Sequence, residues 1–173
     1  MIVRRSALVD QPAEHLFDVI EAAERYPDFL PWCAGATIVS RDDTEVCADI
    51  RMRYGGVGFA LRTRNPKCRP GHMAIHLEHG PFRRFEGEWR LQILDPHACK
   101  VDFLLDYDFD SPLMTRVAGP VFERIANTMV DAFVARARQT VYHALHTESP
   151  PACDPPQPPD PNPAHLPHGN HPL

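Results

Sequence analysis

The five cysteines of this chain form no C-x-x-C pair and are odd in number. That excludes a paired-thiol metal knuckle and argues against a closed disulfide framework. Cys33, Cys47, Cys68, Cys99 and Cys153 read instead as free thiols of a reducing compartment, several of them buried as small hydrophobes. No stretch approaches the ~20 apolar residues needed to span a bilayer. The opening MIVRRSALVDQPAEHLF is interrupted by Asp10 and Glu14 and lacks a signal-peptide core. These absences imply a cytoplasmic protein that touches a membrane only peripherally. Positive charge is also scarce, with 18 Lys and Arg against 23 Asp and Glu and a net charge of −5. This is not the footprint of a protein that wraps DNA or bare RNA, and no DNA partner is expected.

Catalytic signatures are missing as well. There is no G-x-S-x-G, no Gly-rich phosphate loop, no H-E-x-x-H and no cysteine with an activating histidine beside it. His72, His76 and His79 tempt a metal reading. On a strand, however, residues four apart are about 13 Å apart, too far to share an ion. Asp102, Asp106, Asp108 and Asp110 read as a solvated sheet surface, and Glu86 and Glu88 as cross-strand partners of Lys100 or Arg90. No enzymatic activity, cofactor or metal is expected.

What the chain does contain is patterned hydrophobicity. IVRRSALV at 2–9 reads as a strand, and Pro12 stands where a helix can start. Leu16, Val19, Ile20 and Ala23 then recur at helical spacing until Tyr26-Pro27. Between about 36 and 110 the period falls to two. Val46, Ala48, Ile50, Met52 and Tyr54 form one face of a strand, and Val57, Phe59, Leu61 and Thr63 continue after the Gly55-Gly56 bend. Asn65-Pro66-Lys67 reads as a turn. Met73, Ile75 and Leu77 follow, then Phe85, Gly87, Trp89, Leu91 and Ile93, and last Val101, Phe103, Leu105, Tyr107 and Phe109. From Phe122 the period returns to 3.6, with Ile125, Met129, Ala132 and Phe133 on one stripe of a helix of roughly 25 residues. Gly119-Pro120 is expected to start or kink it. An antiparallel sheet with one face covered by a long helix is an α+β two-layer fold.

Residues 1–145 thus form one domain. The segment 146–173 holds ten of the 19 prolines and reads as an unfolded, partly polyproline tail.

The features above background are apolar. RYPDFLPWC at 25–33 packs Tyr26, Phe29, Leu30 and Trp32 between two prolines. The sheet face carrying Met52, Tyr54, Phe59, Phe85, Trp89, Phe103 and Tyr107 opposes the helix face carrying Phe122, Ile125, Met129 and Phe133. Where the two surfaces touch they are core, and where the sheet stands off they line a long apolar cavity.

YPDFLPWCAGATI, the TRN at 63–65, GPFRRFEGEWRL at 80–91 and VFERIANTMVDAFVARA at 121–137 together resemble the coenzyme Q-binding START-like family. That family includes the bacterial ribosome-association toxins and belongs to the helix-grip superfamily. The resemblance runs from about residue 2 to 143. It implies a helix-grip fold, a curved antiparallel sheet wrapped around a long C-terminal helix with an apolar tunnel between them. It implies a non-enzymatic carrier of ubiquinone or another polyprenyl lipid that supports respiratory electron transfer or ubiquinone biosynthesis. It also implies a rival activity, binding to the large ribosomal subunit and blocking 70S formation. Carried onto this sequence, Tyr26, Phe29, Leu30, Pro31 and Trp32 would cover the cavity mouth, and Gly80, Pro81 and Phe82 would turn on the sheet side. Phe122, Ile125, Met129 and Phe133 would be the helix wall. Tyr54, Arg62, Thr63 or Asn127 would hydrogen-bond a quinone head. The exposed Phe29-Leu30-Trp32 edge would dip into a membrane, and Arg83, Arg84, Arg136 and Arg138 would serve ribosome docking.

Overall fold

Period-two alternation between residues 33 and 109 produces six consecutive antiparallel strands, and the N-terminal strand completes the sheet. The computed structural model describes residues 1–147, with side chains described as far as 140. The proline-rich segment lies outside the described residues from 148 onward, and with it Cys153.

In chain order the elements are β1 (Ile2–Val9), α1 (Ala13–Glu21), a 3-10 helix (Ala23–Asp28), β2 (Cys33–Arg41), β3 (Glu45–Tyr54), β4 (Val57–Cys68), β5 (His72–His79), β6 (Phe82–Asp95), β7 (Ala98–Phe109) and α2 (Pro112–Thr147). One seven-stranded sheet runs in the order β1-β7-β6-β5-β4-β3-β2. All neighbours are antiparallel, and β1 closes against β7 with Ile2 opposite Asp106 and Val9 opposite Cys99. The inward face of β7 is buried as its alternation predicts, with Val101, Phe103, Leu105, Tyr107 and Phe109 all at 2% exposure or less. Helix α2 lies along this face and packs on β1, β4, β7 and α1. The fold is the helix-grip α+β fold.

Local chemistry explains where the spans differ from the pattern. Helix α2 begins ten residues before Phe122. Ser111 Oγ accepts from the Met114 N–H at 3.2 Å, and its carbonyl accepts from the Thr115 N–H at 3.0 Å. Ser111 is therefore the N-cap, with Pro112 at the first position, where its missing N–H costs nothing. The helix continues through Gly119-Pro120 instead of starting there. Helix α1 stops at Glu21, and the 3-10 helix carries the chain through Pro27.

Asn65-Pro66-Lys67 is not a turn: all three lie in β4, with Glu45 paired to Pro66. Pro66 falls at the gap in the β4–β5 ladder between Arg64–His76 and Lys67–Met73, where no N–H is required. Ile93 reaches the solvent at 55% exposure, because β6 extends beyond the edge of the core there.

Charge ties α1 to the far end of β4. Glu21 takes bonds from Lys67 and Arg69, and Arg69 also holds Asp18. The Lys67 side chain is only 2% exposed. On the outer sheet face Glu88 bonds His72 at 3.0 Å and Arg90 at 3.0 Å, so His72 is tied into a surface polar lattice. Lys100 pairs with Asp102 instead of with Glu86 or Glu88.

Candidate functional site

The segment 25–33 is fixed to α2 by its own aromatics. The Tyr26 hydroxyl donates to the Ile20 carbonyl at 2.5 Å, and its ring meets Phe133 edge-on at 5.1 Å. Phe29 approaches the same Phe133 at 5.3 Å, under the Arg136 guanidinium. Burial pushes the Tyr26 phenol far above its ordinary pKa, so it stays neutral. Leu30 and Trp32 turn inward and are 1% and 7% exposed. The expectation of an exposed Phe29-Leu30-Trp32 edge for dipping into a membrane is therefore corrected. A turn held by two prolines lets successive apolar side chains fold under the loop, and only Phe29 remains half-exposed.

Behind this turn, between β3–β6 and α2, lies an apolar cavity of about 80 Å³. Seven of the expected site residues line it: Trp32, Met52, Phe85, Trp89, Phe122, Met129 and Phe133. Tyr54, Phe59 and Ile125 border a void of about 10 Å³ next to it, which shares Met52 and Phe122. The other four expected residues do not reach the cavity. Phe82 stacks on Phe109 at 4.5 Å, Phe103 packs on Trp89 at 4.5 Å, Leu30 is buried beneath the turn and Phe29 covers Phe133 from outside.

The expected wall omits Ile50, Leu61, Asn65, Met73 and Ile75, and all five line the cavity together with Tyr26, expected over its mouth, and Thr63, expected at a ligand head. The signal for most of them was present in the alternation of β3, β4 and β5. Asn65 was hidden by the turn assigned to its proline neighbour. Among the proposed head-group partners only Thr63 faces the cavity. Arg62 is held by Asp49 at 2.7 Å on the opposite face, and Asn127 bonds back to the Glu123 carbonyl. Tyr54 is 38% exposed.

The cavity is smaller than the roughly 300–1,000 Å³ of pockets that enclose drug-sized ligands. Its wall is nonetheless adaptable, since Met52, Met73 and Met129 can change rotamer at low cost. The wall carries no carboxylate, imidazole or amine; its polar groups are those of Tyr26, Thr63 and Asn65, with the indole N–H groups of Trp32 and Trp89. Such a surface can hold an apolar body and hydrogen-bond one polar end, but it has no pair of groups for acid–base transfer. The buried Cys33, Cys47 and Cys99 are free, and burial raises each thiol pKa, which leaves them weak nucleophiles.

On the outside, the arginines expected to dock on a ribosome are already neutralised. Arg83 pairs with Asp108, Arg84 with Asp106, Arg136 with Asp28 and Arg138 with Asp10. Two open grooves on the outer face of β2–β4 are lined by Arg51, which lies across Gly35, and by Arg53 and His79. No helix of the described residues is long and apolar enough to cross a membrane.

Residues 9–134 match the family described as polyketide cyclase / dehydrase and lipid transport. The ribosome association toxin RatA of Pseudomonas aeruginosa is 37% identical over 137 residues, covering 79% of this chain and 95% of that one. The mitochondrial coenzyme Q-binding protein coq10 of Schizosaccharomyces pombe is 24% identical over 152 residues, covering 84% and 91%. The crystal structure of the Zhui aromatase/cyclase from Streptomyces sp. R1128 superimposes with a TM-score of 0.73 at 18% identity, over 83% of this chain and 97% of that one.

Proposed function

Since this chain belongs to the polyketide cyclase / dehydrase and lipid transport family, we propose that it is a non-enzymatic binder of an apolar small molecule held between the sheet and α2. The observation that carries this reading is the cavity wall, which combines two tryptophans, three methionines and three phenylalanines with no ionisable group except a neutral tyrosine. Transfer of a hydrocarbon chain into such a wall is worth about 0.8 kcal/mol per CH₂. Part of that gain is lost in ordering the ligand and in moving side chains to enlarge the cavity. A polyprenyl lipid of the quinone type matches this balance of a long apolar body and a small polar end. The coenzyme Q-binding relative adds support to that class. The protein would then act in the cytoplasm as a carrier for respiratory electron transfer or for ubiquinone biosynthesis.

The test is solvent extraction of the purified protein followed by mass spectrometry. A co-purifying quinone or prenyl lipid in stoichiometric amount is the expected result. A Met129→Trp variant, which fills the cavity from the helix side, should lose it while keeping its fold.

A second reading is favoured by a separate observation, the relatives named as ribosome association toxins. In it the chain docks on the large ribosomal subunit and blocks 70S formation. Docking would use the outer-face arginines Arg51 and Arg53, because the arginines of α2 and β6 considered for this role are paired. Sucrose-gradient profiles after overexpression decide it. Depletion of 70S particles that Arg51→Glu/Arg53→Glu relieves would support the ribosome reading, and unchanged 70S levels at high protein dose would count against it.

A further inference from the structure

Leu61, Thr63 and Asn65 share the inward face of β4, where period-two alternation places an apolar residue and then two polar ones. Thr63 is 3% and Asn65 9% exposed, and both line the cavity. Asn65 Nδ2 donates to Thr63 Oγ1 at 3.2 Å. That bond leaves Asn65 Oδ1 buried with no hydrogen-bond partner in the protein. The Thr63 hydroxyl accepts the bond and keeps its own proton, so the pair presents one bare acceptor and one available donor side by side. Across the cavity stand Met129 and Phe133, and alongside in β5 stand Met73 and Ile75. No charged group on the wall can serve either atom.

A buried amide oxygen without a partner carries the full cost of its lost hydration, and native proteins supply nearly all such atoms with a partner. A purely structural site would have met this need from a neighbouring strand. Here the neighbours are apolar, and the open side is the cavity. We infer that Thr63 and Asn65 are the polar anchor of the cavity, and that its ligand is an apolar molecule ending in a hydroxyl group. The ligand O–H donates to Asn65 Oδ1, and its oxygen accepts from Thr63 Oγ1. The inference rests on the reading that the cavity takes an apolar ligand. It adds the chemistry of the polar end: a hydroxyl, as in an alcohol, a phenol or the reduced hydroquinone form of a quinone-type lipid, and not a carbonyl or ether. The reverse orientation of the Asn65 amide would aim two N–H donors at the ligand and select a carbonyl oxygen, so the ligand series below separates the two.

The chain's two tryptophans, Trp32 and Trp89, both line the cavity, and their fluorescence reports entry. The full chain is titrated with geraniol, geranial and geranyl methyl ether, which share one hydrocarbon skeleton. The expected result is that geraniol binds about tenfold more tightly than the ether and more tightly than the aldehyde. Asn65→Leu should erase that preference by bringing geraniol affinity down to that of the ether, without lowering the unfolding midpoint. Thr63→Val should remove part of the preference. Equal affinity for the three compounds, or tightest binding of geranial, overturns the hydroxyl anchor and leaves the apolar-ligand reading standing. Failure of all three to bind overturns that reading, and the inference with it.

Discussion

Tyr26 and Phe133 meet edge to face, with 5.1 Å between ring centroids and 83° between ring planes. This contact joins the turn after α1 to the middle of α2. Trp89 approaches the same Phe133 from the sheet at 5.2 Å. One helix side chain therefore fastens the turn, the sheet and the cavity wall together.

Phe133→Ala should accordingly be among the costliest single truncations. Phe133 is 1% exposed and touches three aromatic rings. Large-to-small changes at such a site cost roughly 3–5 kcal/mol. Urea unfolding followed by tryptophan fluorescence should show the midpoint falling with little change in slope.

Gly87 pairs with Leu105 in the antiparallel ladder of β6 and β7. A Cβ at this position would lie 2.6 Å from the Leu104 carbonyl oxygen, a backbone atom that cannot swing away. Gly87→Ala should cost roughly 1–3 kcal/mol, the range for overpacking. Gly56→Ala, at the exposed hairpin tip, meets no atom within 4 Å, so its cost should come only from its φ of +79°. Thermal unfolding of the two variants compares a steric cost with a backbone one.

Glu21 gives the fold an acid-sensitive fastening. Burial alone would raise its pKa, but the Lys67 and Arg69 contacts outweigh that and hold the carboxyl below its ordinary value of 4.5. A depressed native pKa means the contact stabilises the fold fully above about pH 4.5. The stabilisation drains away as the pH falls through the native value. Glu21→Gln should cost roughly 3 kcal/mol at pH 7, because it strands the buried Lys67 amine. The gap between variant and wild type should narrow below pH 4.5 in denaturant titrations at a series of pH values. A gap independent of pH would remove the charge from this explanation.

Most of the architecture was legible because it follows from periodicity. The β1 span, the inward face of β7 and the stripe Phe122–Ile125–Met129–Phe133 all emerge from counting apolar spacings. The errors arose where one residue type has two structural uses. Pro66 reads as a turn residue, yet it sits in β4 where the ladder to β5 is already broken. Gly119-Pro120 reads as the start or kink of the long helix, yet Ser111 and Pro112 open α2 and the helix runs on through Pro120. Leu30 and Trp32 read as an exposed edge and are buried, because apolar composition in a loop does not say which way the loop folds.

The cavity was legible as a location but not in its volume, which depends on how side chains of β3–β6 and α2 interdigitate. The Thr63–Asn65 pair was partly visible. Thr63 fell on the inward alternation, whereas Asn65 was lost to the misassigned turn.

The proposed function places an apolar ligand in the space between the sheet and α2. The most direct measurement is contact quenching of Trp32 and Trp89 by a brominated long-chain alcohol, read separately in the Trp89→Phe and Trp32→Phe variants. Because both indoles line the cavity, saturable quenching of each at a common affinity is expected, abolished in Met129→Phe, which narrows the cavity without adding an indole. Binding that is detected by calorimetry but quenches neither indole, or quenching untouched by Met129→Phe, would overturn the proposal.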